Sequence, residues 1–378
     1  MISRERVLAA LNHEEADRVP IQDALWAATI TRWHKEGLPV EVNPAEYFDY
    51  EIVCFGADTS PRFPVKVVEE TEEYVIHTTP YGGLYRDHKD YSTTPEKLDN
   101  PCKSWEDWEA IKERLVANRD RVDWKGGWLG GTAADERGGE SVLETGRSEW
   151  RKGFPGWERA REQGKFTCYT SEVGYDSALN YVDTERLLIA IATEPDWVRD
   201  MYETDANLVI EMYEIMKEGG FEFDGVWLAC DLGYSKGLLF SPRHFDEQLR
   251  PTLRRLFDHF RGDGMPVILH SCGCVRDLIP RFIEDGLTCL QPLEAKAGMD
   301  LIELKRDFGD KLAFMGGIDV RAMADPDPAV IEEEIKTKIL SAKKGGGYIY
   351  HSDHSVPNNV SFDQYRRVLQ LVRKYGTY

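Results

Sequence analysis

The sequence lacks long apolar runs, excess positive charge and an even set of cysteines. No stretch of about 18 apolar residues occurs, which is the length a membrane-spanning helix needs. Lysine and arginine number 47 against 67 acidic residues, a formal net charge of −20. This balance argues against broad binding to nucleic acid or anionic membranes, because phosphate contacts need clustered basic side chains.

Seven cysteines are an odd number, and the first residues open a helical pattern instead of the apolar core of a signal peptide. We therefore expect reduced thiols in a cytoplasmic protein, not a disulfide framework. The first strand is followed by no glycine-rich phosphate-binding fingerprint, which weakens the prediction of a dinucleotide-binding fold.

Short apolar runs recur along the chain, each followed by polar or acidic residues and then by a helical segment. They are 166–169, 226–230, 267–269, 287–290, 312–315 and 348–350, with 19–23 and 52–55 as earlier members. Strands that alternate with helices predict a parallel sheet. Seven or eight of them favour an α/β fold of the (β/α)8 TIM-barrel type over a doubly wound sheet.

Two further features belong to the same prediction. Ser3 is the predicted N-cap of a helix over 4–11, so the barrel is preceded by N-terminal helical structure. Alternating residues and glycines over 63–90 predict a small antiparallel β insertion. We expect a single barrel domain over 1–378, with 60–165 as a lid-like insertion within it.

The predicted strand ends carry polar side chains. In a barrel they share one rim, the C-terminal face on which active sites are built. They are Gln22, Asp23, Ser171, Glu172, Asp231, His270, Cys272, Gln291, Glu294, Asp319, His351, Asp353 and His354. Each alone is typical of a helix cap, as Asp319 is for the turn that follows it; their convergence predicts an active site.

His270 and Cys272 are the sharpest signal on this rim. Residues i and i+2 of an extended chain point to the same face, and histidine with cysteine suits a borderline metal such as zinc. The alternatives are a strand-end histidine beside an ordinary buried cysteine, or a redox pair of Cys272 with Cys274. A catalytic zinc site needs a third ligand; His354 is favoured, with Asp231 or Asp353 as alternatives.

Four segments of the sequence resemble a known family. They are RERVLAALNH at 4–13 with DRVP at 17–20, LFSP at 239–242, the block from HSCG at 270–273 to FMGGID at 314–319, and GGGYI at 345–349 with HSVP at 354–357. The chain resembles the uroporphyrinogen decarboxylase superfamily and is most similar to its corrinoid-dependent methyltransferase branch. The resemblance implies a (β/α)8 barrel.

The resemblance also implies a zinc site. The methyltransferases of this branch hold zinc with a His-x-Cys pair and a distant cysteine; His270 and Cys272 match the pair, and His354 stands near the distant position. The decarboxylases lack the pair and carry an arginine-rich segment after the first strand. Here 24–32 contains Arg32 as its single arginine, so decarboxylation of a polycarboxylate is not favoured.

The resulting prediction is a zinc methyltransferase that passes a methyl group from a small methylated substrate to the Co(I) corrinoid of a separate protein. Two histidines and one cysteinate leave about one positive charge on zinc, which suits a leaving alkoxide or phenoxide. A methoxylated compound, for example an aromatic ether, is therefore the expected donor. If Asp231 is a ligand instead, this preference weakens.

The remaining rim residues receive predicted roles. Asp231 orients a ligand or substrate, and His351 or Asp353 donates a proton to the departing oxygen. The predicted substrate-binding residues are Asp23, Trp26, Glu172, Gln291 and Asp319. The alternatives are methyl transfer from a corrinoid to a thiol or to tetrahydrofolate, a metal-independent decarboxylase, and a binding module without chemistry; a homodimer is left open.

Overall fold

The computed structural model describes residues 1–90, 94–125 and 153–378. The strands, in chain order, are β1 (Ile52–Phe55), β2 (Val67–Glu70), β3 (Tyr74–Thr78), β4 (Leu84–His88), β5 (Glu96–Asp99), β6 (Phe166–Glu172), β7 (Gly225–Ala229), β8 (Gly233–Tyr234), β9 (Gly237–Leu238), β10 (Val267–His270), β11 (Cys289–Gln291), β12 (Ala313–Met315) and β13 (Tyr348–Ile349).

The α-helices, in chain order, are α1 (Ser3–Leu11), α2 (Ala27–Glu36), α3 (Pro44–Phe48), α4 (Trp105–Lys112), α5 (Gly153–Glu162), α6 (Tyr175–Leu179), α7 (Thr184–Thr193), α8 (Pro195–Glu218), α9 (Pro242–His244), α10 (Arg250–Gly262), α11 (Ile279–Glu284), α12 (Leu301–Phe308), α13 (Val320–Met323), α14 (Pro328–Ala342) and α15 (Phe362–Gly376). A five-residue π-helical turn, Phe245–Leu249, joins α9 to α10.

Seven parallel strands form the central sheet, in the order β1-β6-β7-β10-β11-β12-β13. The segment 19–23 lies between the two outer strands and closes the sheet. Ile21 forms a parallel bridge with Tyr350, and the Gln22 N–H donates to the Tyr350 carbonyl at 3.0 Å. On the other side the Glu51 N–H donates to the Ile21 carbonyl at 3.0 Å. The predicted (β/α)8-type architecture is confirmed.

Two hydrophobic cores follow from the alternation of side chains along the strands. One fills the barrel and includes Ile268, Met315 and Ile349; helix α1 contributes Val7 and Leu11 to it and plugs the end opposite the rim. The other, larger core lies between the sheet and the surrounding helices. Because strand residues point alternately into each core, the strand ends present polar side chains above the filled barrel.

A buried carboxylate, Glu51, ties the closing segment to the N-terminus. Its Oε2 accepts from Arg6 Nη1 at 2.5 Å, and its Oε1 accepts from Arg18 Nη1 at 2.6 Å and from the Ile21 N–H at 2.8 Å. Arg6 also forms two hydrogen bonds with Asp17. Charged residues of the segments 4–13 and 17–20 therefore hold the barrel closed.

The antiparallel insertion predicted over 63–90 is present as β2, β3 and β4, and β5 adds a fourth strand in the order β2-β3-β4-β5. Lys97 of β5 donates from Nζ to the Leu179 carbonyl at 2.9 Å. This contact places the sheet beside α6, which directly follows β6 at the rim. Within the described ranges, no helix has the length and apolar character needed to cross a membrane.

Candidate functional site

The rim gathers potential metal ligands from the ends of four strands of the barrel. His270 is the last residue of β10, and Cys272 follows it in the loop. Asp231 comes after β7, Glu294 after β11 and His354 after β13. Parallel strands bring their carboxyl ends to one edge, so these residues meet although they are far apart in sequence.

The first group of ligating atoms comprises Asp231, His270 and Cys272, whose atoms lie within 4.8 Å of one another. His270 Nε2 is 3.3 Å from Cys272 Sγ and 3.5 Å from Asp231 Oδ1. The Cys272 N–H donates to Asp231 Oδ1 at 2.7 Å. Asp231 therefore fixes the loop that carries the cysteine and also faces the histidine.

The second group comprises Cys272, Glu294 and His354, again within 4.8 Å. Glu294 is 7% exposed and accepts from the Gly273 N–H at 3.2 Å through Oε1. The His354 ring stacks on Trp26, with ring centroids 5.8 Å apart and planes inclined by 15°. Cys272 belongs to both groups, so the geometry centres on its sulfur atom.

Close packing of two glycines allows this arrangement. Gly273 has φ +76, and a Cβ there would lie 2.2 Å from the Gly233 carbonyl carbon. A Cβ on Gly233 would lie 2.9 Å from the Cys272 carbonyl oxygen. Since L-residues with side chains fit neither position, the two glycines let the Asp231 and Cys272 loops pack backbone against backbone.

The chemistry of this donor set fits a metal cation. Burial, and then the charges of Asp231 and Glu294, raise the pKa of the Cys272 thiol. Burial lowers the pKa of His354, which favours the neutral imidazole that binds metals. A bound cation would compensate the converging carboxylates and stabilise the thiolate, the form of cysteine that acts as a ligand.

Further carboxylates lie on the β6 side of the rim. Asp176 Oδ2 accepts from the Asp231 N–H at 2.9 Å. Burial, and then the charges of Asp231 and Glu172, raise the pKa of Asp176. Glu172 Oε2 accepts from Asn180 Nδ2 at 2.9 Å. The rim is therefore acidic beyond the two ligand groups.

Gln291 lies beside His270 on the adjacent strand, and His351 lies beyond Gln291. Gln291 Oε1 is 2.5 Å from His270 Nδ1, and Gln291 Nε2 is 3.3 Å from His351 Nε2. His351 is 1% exposed, and burial lowers its pKa. Both residues therefore support the site from the Nδ1 side of the His270 ring.

Three predicted rim acids are engaged by backbone donors. Asp23 Oδ1 accepts from the Ala24 N–H at 3.0 Å. Asp319 caps α13 by accepting from the Arg321 N–H at 2.8 Å, the alternative that its position also predicted. Asp353 accepts from the N–H groups of Val320 and Ala295, each at 3.0 Å. Their predicted substrate and proton-transfer roles stay predictions.

Two acids of the site received no predicted role. Glu294 follows a predicted strand end, but Pro292 and Leu293, which has left-handed backbone (φ 63), lie between it and the strand. Strand alternation therefore does not predict where the Glu294 side chain points. Asp176 lies in α6, outside any strand end. Its signal was its place one turn after the Ser171-Glu172 strand end.

Comparison with known proteins decides the family. The sequence model of the family described as uroporphyrinogen decarboxylase (URO-D) matches residues 177–375, more than half of the 378-residue chain. The chain belongs to the uroporphyrinogen decarboxylase family. The matched region holds both ligand groups, and the resemblance to this superfamily is confirmed.

Curated members of the uroporphyrinogen decarboxylase family match a shorter part of the chain. It is 29% identical over 131 residues to uroporphyrinogen decarboxylase of Bacillus mycoides (strain KBAB4), covering 34% of this chain and 35% of that protein. The Bacillus cereus (strain AH820) protein matches at 28% identity with the same coverage. The chain thus spans about a third of the length of these relatives.

Among solved structures, a methyltransferase from Methanosarcina mazei is similar over the whole length. The TM-score is 0.63, the identity is 15%, and the alignment covers 99% of each chain. At this identity the likeness establishes a shared fold. The fold of this uroporphyrinogen decarboxylase family member is therefore the same as that of a methyltransferase.

Proposed function

We propose that this protein is a zinc-dependent methyltransferase that moves a methyl group between a small substrate and a corrinoid carried by a separate protein. The observation that carries the proposal is the pair of ligand groups that share Cys272. A soft thiolate, imidazoles and carboxylates at one open rim are the ligand types of catalytic zinc sites. The methyltransferase of the same fold supports this reaction class.

His270, Cys272 and one of Asp231, Glu294 or His354 would hold the metal. Bound zinc would supply Lewis acidity toward a heteroatom of the substrate. The residues around it have separate tasks: Asp231 holds the Cys272 backbone, and Trp26 stacks on His354 and forms an aromatic wall for a substrate. The predicted substrate contact of Glu172 belongs to this proposal, whereas the polar atoms of Gln291 and Asp23 bond to other groups of the protein.

The direction of transfer depends on the ligand charge. A methoxylated donor was predicted for a zinc bound by two histidines and one cysteinate, which keeps a positive charge. Each ligand group here includes a carboxylate, so cysteinate and carboxylate together balance the two charges of zinc. An ether donor remains the first substrate class to test, and the carboxylates favour a second candidate, a thiol acceptor activated at a neutral site.

Decarboxylation of a porphyrinogen is less well supported. Four acidic side chains, Glu172, Asp176, Asp231 and Glu294, lie close together on the rim, around the candidate ligands. Like charges repel strongly at a partly buried site. We further propose a cytoplasmic location and docking of the corrinoid partner at the open rim, with a homodimer as one possible assembly.

Metal content is the first test. We expect about one zinc per chain in purified protein by elemental analysis. Zinc should be lost in the double variant His270→Ala, Cys272→Ala and kept in the matched control Cys274→Ala. Cys274 is a neighbouring, partly buried cysteine that belongs to neither ligand group. A folded wild-type protein without zinc would overturn the metal mechanism.

The second test measures transfer directly. Zinc-loaded protein is mixed with cob(I)alamin and a panel of methoxyarenes and methylamines, and methylcobalamin formation is followed by absorbance; methylcobalamin with thiols tests the reverse direction. Methylation of cob(I)alamin by an ether supports the ether donor. Thiol methylation without any demethylation assigns the thiol direction, and no transfer in either direction contradicts the proposed activity.

A further inference from the structure

A backbone carbonyl defines the proton positions in the hydrogen bonds beside the candidate metal site. His351 Nδ1 is 2.7 Å from the carbonyl oxygen of Ser352. A carbonyl oxygen can only accept, so Nδ1 must carry the proton. Burial lowers the pKa of His351, and in the neutral ring Nε2 is then an acceptor.

The position of this proton also fixes which atoms of the Gln291 amide donate and accept. Its amide nitrogen is the atom that can donate to His351 Nε2, at 3.3 Å. The amide oxygen is therefore turned toward His270 Nδ1, 2.5 Å away, and must accept from it. His270 consequently carries its proton on Nδ1, and its Nε2 is left with a lone pair.

That lone pair faces two further lone-pair atoms. Nε2 of His270 lies 3.3 Å from Cys272 Sγ and 3.5 Å from Asp231 Oδ1. The opposite tautomer would place a hydrogen atom where a metal ligand needs its lone pair. The correct tautomer is thus a condition for metal binding, and it is imposed from the far side of the ring.

Ser352, whose carbonyl begins this series of hydrogen bonds, is itself held in place. The Ser352 N–H donates to Asp23 Oδ1 at 3.2 Å, and the Ser352 hydroxyl contacts both this atom and the His354 carbonyl oxygen. The other oxygen of Asp23 accepts from the hydroxyls of Tyr350 and Tyr365, at 3.2 and 2.9 Å. Both oxygens of this buried carboxylate are held, so the position of Ser352 is fixed.

We propose that His351 and Gln291 are positioning residues that set the tautomer of His270 through a directional hydrogen-bond chain beginning at the Ser352 carbonyl. In this role His351 acts through Gln291 and keeps its proton, in contrast to the proton donation predicted for it. The inference rests on the proposed metal site for its effect on zinc, whereas the tautomer itself is a property of the metal-free protein.

A comparison of isosteric variants tests Gln291. Gln291→Met removes the acceptor and should weaken zinc binding by roughly 10–100-fold, the usual effect of losing a partner of a ligating histidine. Gln291→Glu keeps an acceptor for His270 Nδ1–H and should retain the affinity. Gln248→Met is the control, because Gln248 is also buried and donates to the Ile191 carbonyl, away from the site. Zinc affinity is measured by competition with a chromophoric chelator.

A double-mutant cycle tests whether His351 acts through Gln291. His351→Phe should weaken zinc binding in the wild-type background and have little further effect in the Gln291→Met background, because the chain is already broken. Equal losses in both backgrounds would mean that His351 supports the fold alone, and the proposal would be wrong.

The tautomer is read independently by ¹⁵N NMR of histidine-labelled, metal-free protein. We expect His270 as the Nδ1–H form, shifting toward a mixture in Gln291→Met. An Nε2–H form in the wild-type protein would overturn the inference whatever metal the protein binds. Conversely, an Nδ1–H form in a protein that binds no zinc would refute the proposed function and leave the hydrogen-bond chain intact.

Discussion

Asp205 of α8 provides a quantitative test of the electrostatics beneath the rim. The residue is 3% exposed; its Oδ1 accepts from Ser177 Oγ at 2.6 Å, and its Oδ2 is buried without a hydrogen-bond partner. Burial raises the pKa of this carboxyl to about 7, against the opposing hydrogen bonds from Ser177 and the Gly174 backbone. The native state therefore retains a proton that the unfolded chain releases near pH 4.

The sign of the effect follows from proton linkage. Between the unfolded and native pKa values the native state binds more protons, so stability falls as the pH rises through this window and levels off above the native value. A separation of about three pKa units lowers the free energy of unfolding by ~4 kcal/mol over the whole window, and ~2–3 kcal/mol of this loss falls between pH 5 and pH 8.

The perturbation is Asp205→Asn, which keeps an acceptor for Ser177 and removes the titration. The free energy of unfolding of the variant and of the wild type is measured with urea at pH 5 and at pH 8. The difference between the two proteins should shift in favour of the variant by ~2–3 kcal/mol from pH 5 to pH 8. Asp246→Asn is the control, because Arg281 lowers the pKa of Asp246; this carboxyl is therefore ionised in both the native and the unfolded state between pH 5 and pH 8, and its stability difference should not change with pH. A pH-independent difference for Asp205→Asn would refute the reasoning.

Two further substitutions test the closure of the barrel and the packing of the site. Glu51→Gln removes a buried charge that two arginines contact, so it should lower the free energy of unfolding, measured with urea, by ~3–5 kcal/mol. The control is Glu247→Gln, which removes one partner of the exposed pair with Arg243 and should lower it by less than ~1 kcal/mol. In Gly273→Ala a Cβ at φ +76 forces the Cys272 loop away from Asp231, so the loss in free energy of zinc binding should be at least as large as the loss in free energy of unfolding. An unchanged zinc affinity would contradict this packing.

The sequence predicted the barrel well because its signal is local. Apolar runs such as 226–230 and 348–350 reappear as β7 and β13, and their order along the chain is their order in the sheet. The closing segment 19–23 was also recognised, although it pairs through isolated bridges only. Strand β5 was not predicted: its four residues are all exposed, so no apolar alternation marks it.

The site was less predictable, because its roles depend on contacts between distant loops. Asp231 and Asp353 both follow strand ends, yet Asp231 faces His270 whereas Asp353 accepts from two backbone N–H groups. Strand periodicity gives the rim but not the direction of a side chain in the loop beyond it. For the same reason Glu294 could not be placed beside Cys272 before the left-handed turn at Leu293 was seen.

The closure by segment 19–23 also imposes an order on biosynthesis. This segment is made before the strands of the central sheet, whereas its bridge partner Tyr350, which directly follows β13, and with it His354, is made after them. Until then a nascent chain has two unpaired sheet edges, which are sites for association with other chains. The barrel can close only after β13 has been made, so the same step that protects these edges also delivers His354, a candidate ligand.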